Sequence, residues 1–200
     1  MEKRHFLNVS LASATAGALA LPAWAAAPDR RRAAAGPALL TVSGSIGAGN
    51  RGPLDPALDQ MMAKQKIAFD KAQLFDFEAV TALPAVVLEP TLEYDGKPHR
   101  LKGPLLLDVI KACGAAIGEK TLLFVRAVDG YAAQISAADA RRYRYIVATH
   151  LDGRPMALGG LGPLWAVYDA DRFADMAAKP LPARFASCPW AAYHIEVRQG

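Results

Sequence analysis

The sequence predicts an α+β domain: a mostly β, mixed-sheet or barrel-like core with a few short helices. Three observations carry this. The apolar stretches are short and bounded by Gly, Pro, Asn and Asp, as strands are. Only a few segments repeat their apolar residues at helical spacing, and no internal repeat is present. Finally, 200 residues with 52% hydrophobic and 21% charged content can bury a core and do not read as disordered.

Residues 1–27 carry the marks of an export signal. Lys3 and Arg4 precede an apolar, Ala-rich stretch, and Ala23-Trp24-Ala25 and Ala25-Ala26-Ala27 both fit a small-x-small cleavage site. The run Lys3-Arg4-His5-Phe6-Leu7 is also similar to a twin-arginine signal with Lys in the first position. An uncleaved anchor is the alternative, opposed by Ser10, Ser13 and Thr15 within a short apolar run. The expected destination is the periplasm. Residues 28–37 form a basic, Ala-rich leader, and 38–200 the single domain. The net charge of +4 is fed locally by Arg30-Arg31-Arg32, and no basic stripe interleaves with aromatics, so nucleic acid is excluded as a partner.

The elements follow in order. Residues 38–46 form a first strand, 47–58 a Gly/Pro loop, and 66–70 a candidate strand. Helical spacing runs from Phe75 to Thr81 with Asp76 as a possible cap, and Leu83-Pro84 ends it. A strand over 85–94 turns at Asp95-Gly96, a frequent hairpin dipeptide. A helix then starts with Pro104 in its first turn, runs to Cys113 and stops at Gly114. Strands are expected over 121–128, 132–135, 145–150, 164–168 and 190–197, with a helical turn from Ser136 and an irregular stretch over 180–189. Cys113 and Cys188 can pair in an oxidising compartment or stay free, and spacing does not decide it.

The segments LKGPLLLDVIKACGA (101–115), VRAVDGY (125–131), YIVATHLDGRPM (145–156), GPLWAVYD (162–169) and WAAYHIEV (190–197) follow one another in an order that resembles the sulfite-oxidase-type molybdopterin-binding fold family. The resemblance spans residues 38–198. In that family's enzymes a cysteine thiolate holds molybdenum about a dozen residues before the glycine that stands here as Gly103. That position is Thr91, and a hydroxyl replaces a soft thiolate poorly. The resemblance therefore implies the small, cysteine-less branch: periplasmic proteins that bind a reduced, molybdenum-free pterin and regulate a membrane-bound sensor of cyclic-dinucleotide or kinase signalling. A molybdopterin-dependent oxidoreductase with an atypical metal site is the alternative, and whether the chain is an enzyme stays open. No catalytic residue and no metal ligand is assigned.

The candidate ligand-binding residues each carry two readings. Trp165 stands where the family's enzymes have Arg, and is either a stacking platform or a core strand residue. Asp129 can accept the paired N–H donors of an amino-pyrimidinone edge, or serve the Asp-Gly turn. Tyr131 lines the same pocket or is a strand aromatic. Thr91, Glu93 and Tyr94 stand at the expected mouth. Arg126 is expected to face solvent, and Trp190 to be core on the same strand face as His194. No Ser-His-Asp set can be assembled, and Gly159-Gly160-Leu161-Gly162 lacks the Lys-Ser/Thr of a phosphate loop.

Overall fold

The computed structural model describes residues 36–200. The expected export signal and nearly all of the leader lie outside the described residues. No helix among the described residues is long and apolar enough to cross a membrane.

In chain order the elements are β1 (Leu40–Gly44), α1 (Gln60–Lys64), β2 (Ala72–Phe75), α2 (Phe77–Thr81), β3 (Ala85–Leu88), β4 (Leu101–Pro104) and α3 (Leu106–Ala112). Then come β5 (Leu122–Ala127), β6 (Ala132–Ser136), α4 (Ala137–Arg142), β7 (Ile146–Ala148), β8 (His150–Leu151), β9 (Arg154–Pro155) and β10 (Trp165–Val167). A 3-10 turn (Ala170–Arg172), α5 (Ala174–Ala177), α6 (Leu181–Arg184) and β11 (Ala192–Arg198) complete the chain.

The strands form a five-stranded sheet β2-β1-β11-β5-β6, a four-stranded sheet β3-β4-β8-β9 and a β7-β10 pair. The architecture is α+β and rich in strand, but it is not a closed barrel: the three sheets keep open edges. β1 and β11 pair in parallel, Thr41 opposite His194, and their ladder partners are antiparallel. Four of the five β1 residues are buried, as an apolar run at the centre of a sheet requires. β5 instead alternates, with Leu123, Val125 and Ala127 inward.

Local chemistry explains where prediction and structure part. Asp76 caps α2 as expected, accepting from the Ala79 amide at 2.8 Å. Residues 66–70 form no strand: Lys66 takes a left-handed backbone (φ 58°) after α1, and pairing with β1 begins only at Ala72. The helix α1 buries none of its residues, so it leaves no periodic apolar signal. Strand β3 stops at Leu88 rather than Tyr94, because Pro90 and Pro98 have no N–H to give a ladder. Residues 89–100 therefore become a loop, closed by the expected Asp95-Gly96 turn and crossed by one Thr91–Pro98 bridge. Pro104 ends β4 opposite Ala85 instead of entering the helix, which starts at Leu106. Gly103 lies where the Val147 carbonyl passes, leaving no room for a Cβ. Gly114 ends the helix with φ +72°, as expected. Cys113 and Cys188 are both buried and both free.

Candidate functional site

The loop 89–100, the β5–β6 turn and the segment 182–190 converge on a cavity of about 410 Å³. Glu93 and Tyr94 line it from the loop, and Ala127, Asp129 and Tyr131 from the β5–β6 side. The third wall is Pro182, Phe185, Ala186, Cys188, Pro189 and Trp190. Four residues singled out from the sequence, Glu93, Tyr94, Asp129 and Tyr131, thus meet around one space although they come from two distant segments.

The third wall has almost no regular structure, yet its backbone is held at successive points by aromatic side chains of the framework. Tyr168 Oη donates to the Arg184 carbonyl at 2.6 Å, and Tyr131 Oη donates to that of Ala186. Tyr145 Oη and Ser187 Oγ share a hydrogen bond of 2.6 Å, and Trp165 Nε1 donates to the Cys188 carbonyl at 2.9 Å. These rings are apolar bodies with polar tips, and each tip satisfies a group that an irregular segment would otherwise leave unpaired. The Arg184 side chain adds bonds to the carbonyls of Lys179 and Ala177 and to Asp171.

Trp165 is therefore not the stacking platform. It is 1% exposed, sits on a strand buried along its length, and has spent its indole N–H on the wall. Its ring underlies two lining rings, Tyr94 at 6.5 Å and Phe185 at 6.2 Å between centroids. The tryptophan that reaches the cavity is Trp190, for which the core expectation holds only in part: it is half-buried, packing against the core on one side and lining the cavity on the other. The expectation paired it with His194 by strand alternation, but the β5–β11 register shifts between Ala192 and His194 and β11 begins only at Ala192.

Thr91 does not line the cavity. It is half-buried, and its amide donates to Asp171 Oδ2 at 2.7 Å. Asp171 also takes Arg184 Nη1 at 2.8 Å, so one carboxylate ties the loop 89–100 to the opposite wall. Asp129 serves its turn with one oxygen, accepting from the Tyr131 amide at 2.9 Å, while the residue remains exposed at the cavity rim. The turn reading of Asp129 is the one seen directly.

The electrostatics are one-sided. The charged lining residues are Glu93 and Asp129, and among the described residues none that lines the cavity is basic. Desolvation of its hydroxyl end, aided by the neighbouring Glu93, pushes the Tyr94 hydroxyl up to about 12 although the residue as a whole is half-exposed, so it stays a neutral donor. Cys188 lines the cavity from below, but burial raises its thiol well above the ordinary range. A molybdenum–dithiolene group does not fit these residues: the Thr91 position is turned to Asp171, the thiol at hand is held protonated, and no cation faces a phosphate.

A second polar cluster lies inside the five-stranded sheet. Arg126 does not face solvent: it donates to His194 Nδ1 at 3.3 Å and pairs with Glu196 at 3.1 Å. His194 Nε2 then donates to Ser43 Oγ at 3.0 Å. Burial, with the Arg126 charge beside it, lowers the His194 pKa to about 4. Ser43 and His194 are both 0% exposed, so this pair is a structural bond and no substrate reaches it.

In comparisons with known proteins, the chain matches no family model and no curated sequence.

Proposed function

We propose that the protein is an exported, non-catalytic binding protein for a flat, reduced, molybdenum-free pterin, and that it signals to a membrane-bound sensor of cyclic-dinucleotide or kinase output. The observation that carries the reading is the make-up of the cavity: two carboxylates, four rings (Tyr94, Tyr131, Phe185, Trp190) and, among the described residues, no cation. A carboxylate accepts two parallel N–H donors from an amino-pyrimidinone edge, a charge-assisted contact. A ring such as Trp190 supplies stacking, worth roughly 1–3 kcal/mol by analogy with nucleobases. The absence of a lining Lys or Arg favours a ligand without phosphate, which separates a simple pterin from molybdopterin. The export signal and the family resemblance supply the periplasmic setting and the class of partner.

The test is isothermal titration of the mature protein with a tetrahydropterin under anaerobic conditions. Saturable one-to-one binding is expected, and no heat at about 100 µM ligand would overturn the proposal. Metal analysis of protein made in a molybdopterin-competent host addresses the oxidoreductase alternative, since stoichiometric molybdenum would replace this reading with that one.

A further inference from the structure

The loop 89–100 carries Glu93 and Tyr94 to the cavity; at its far end the Asp152 amide donates to the Arg100 carbonyl at 2.8 Å, and two side-chain pins hold the rest. One pin is the Thr91 amide on Asp171. The other is His99, whose two ring nitrogens each face a different carboxylate: Nδ1 stands 2.7 Å from Asp152 Oδ2, and Nε2 stands 3.0 Å from Asp95 Oδ2. Asp95 belongs to the loop's own turn, and Asp152 to the β8–β9 turn. Their remaining oxygens serve the backbone, Asp95 accepting from the Lys97 amide and Asp152 from the Arg100 amide.

A neutral imidazole has one N–H and one lone pair. It can donate to one of these carboxylates, and the other then faces a lone pair across hydrogen-bond distance. Only the imidazolium satisfies both contacts. We propose that Asp95, His99 and Asp152 form a pH-sensitive clasp that holds the loop 89–100 against the framework when His99 is protonated and lets it go slack when His99 is neutral. The proposal rests on the reading of the cavity as the ligand site, because Glu93 and Tyr94 move with the loop.

The groups that face His99 are Asp152 and Asp95, both raising its pKa, first through hydrogen bonds and then through charge. Lys97 acts on Asp95 from the same turn. The sign follows. A histidine raised in the folded state contributes its full share below the ordinary value of about 6.5, and loses it as pH rises through the higher folded value. The Thr91 pin does not change over that window, since Asp171 is held below the usual carboxylate range despite its desolvation, by the Thr91 and Arg184 contacts. Raising the pH therefore loosens the His99 contact between the loop's turn and Asp152, while the Thr91 pin and the Arg100–Asp152 bonds persist.

The experiment uses the mature protein. Side-chain NMR follows the His99 ring, and hydrogen exchange, corrected for intrinsic rates, follows the Leu92 and Gly96 amides, both bonded within the loop. Calorimetry with a tetrahydropterin runs beside them, all from about pH 5 to about pH 9. The expected result is loss of loop protection in step with His99 deprotonation, and affinity about threefold or more weaker above the step. In His99→Gln and Asp152→Asn both steps should vanish while the fold is kept. Loop protection that ignores pH in the wild type, or the same step persisting in His99→Gln, overturns the clasp. A step in protection with no pterin binding at any pH upholds the clasp and overturns only the ligand assignment.

Discussion

The two sides of the cavity that face one another are held by opposite means. The wall 182–190 is fastened from behind by three buried rings: Trp165 and Tyr168 donate to carbonyls of the segment, and Tyr145 shares a hydroxyl hydrogen bond with Ser187. The loop 89–100 is fastened at its surface by charged groups, the half-exposed Asp171 and the Asp95–His99–Asp152 cluster. Buried aromatic pins cost a great deal to break, whereas exposed ionic pins are weak and respond to pH and salt. One side is set by buried rings, and the other carries Glu93 and Tyr94 on contacts that pH and salt can weaken.

Substitutions separate the two sides, and the largest effect belongs to Trp165. Trp165→Ala should lower stability by about 3–5 kcal/mol in a denaturant titration, because it empties a core site and unpins the Cys188 carbonyl. A folded variant of unchanged stability that fails only to bind pterin would return Trp165 to the ligand face. Acid is the next largest perturbation. His194 is neutral in the fold, so its contribution is present above the ordinary histidine value and lost as pH falls towards about 4. The stability so lost is of order 3 kcal/mol, and an unfolding series from neutral to acid pH should show it weakened in His194→Gln. Should His194→Gln keep the wild-type acid profile, the buried cluster is not its source.

Smaller effects belong to the cavity surface and the pins. Trp190→Ala should weaken pterin binding by about 1–3 kcal/mol and, from its half-buried place against the core, cost clearly less stability than Trp165→Ala. Tyr168→Phe removes one wall bond and leaves the Arg184 carbonyl without that donor, and should cost about 2 kcal/mol of stability. Asp171→Ala cuts the tie between loop and wall, and should raise exchange at the Thr91 amide with about 1 kcal/mol or less of global cost. Equal global losses in Tyr168→Phe and Asp171→Ala would erase the contrast between the two sides.

Much of the framework was legible in the sequence because its signals are local. The apolar run of β1, the alternation of β5, the cap at Asp76, the turn at Asp95-Gly96 and the stop at Gly114 depend on residues close in sequence. Glu93, Tyr94, Asp129 and Tyr131 could be named because they sit in or beside turns, where side chains stay exposed. The 182–190 wall could not be read, since its conformation is imposed by rings from three other strands or turns and leaves no period. Trp190 was misplaced for a related reason: a register shift ahead of His194 changes the parity on which its placement depended, while for Trp165 the sequence left both readings open. The His99 clasp was hidden because Asp152 lies far along the chain, and only the β4–β8 pairing brings it beside the loop.

The central claim is that this cavity takes a flat, phosphate-free ligand on Trp190. Anaerobic calorimetry of a tetrahydropterin and of its phosphate monoester against the protein and Trp190→Ala tests it most directly. One-to-one binding is expected, about tenfold weaker for the variant and weaker again for the phosphorylated ligand. Absence of binding, equal affinity in Trp190→Ala, or preference for the phosphate ester would contradict it.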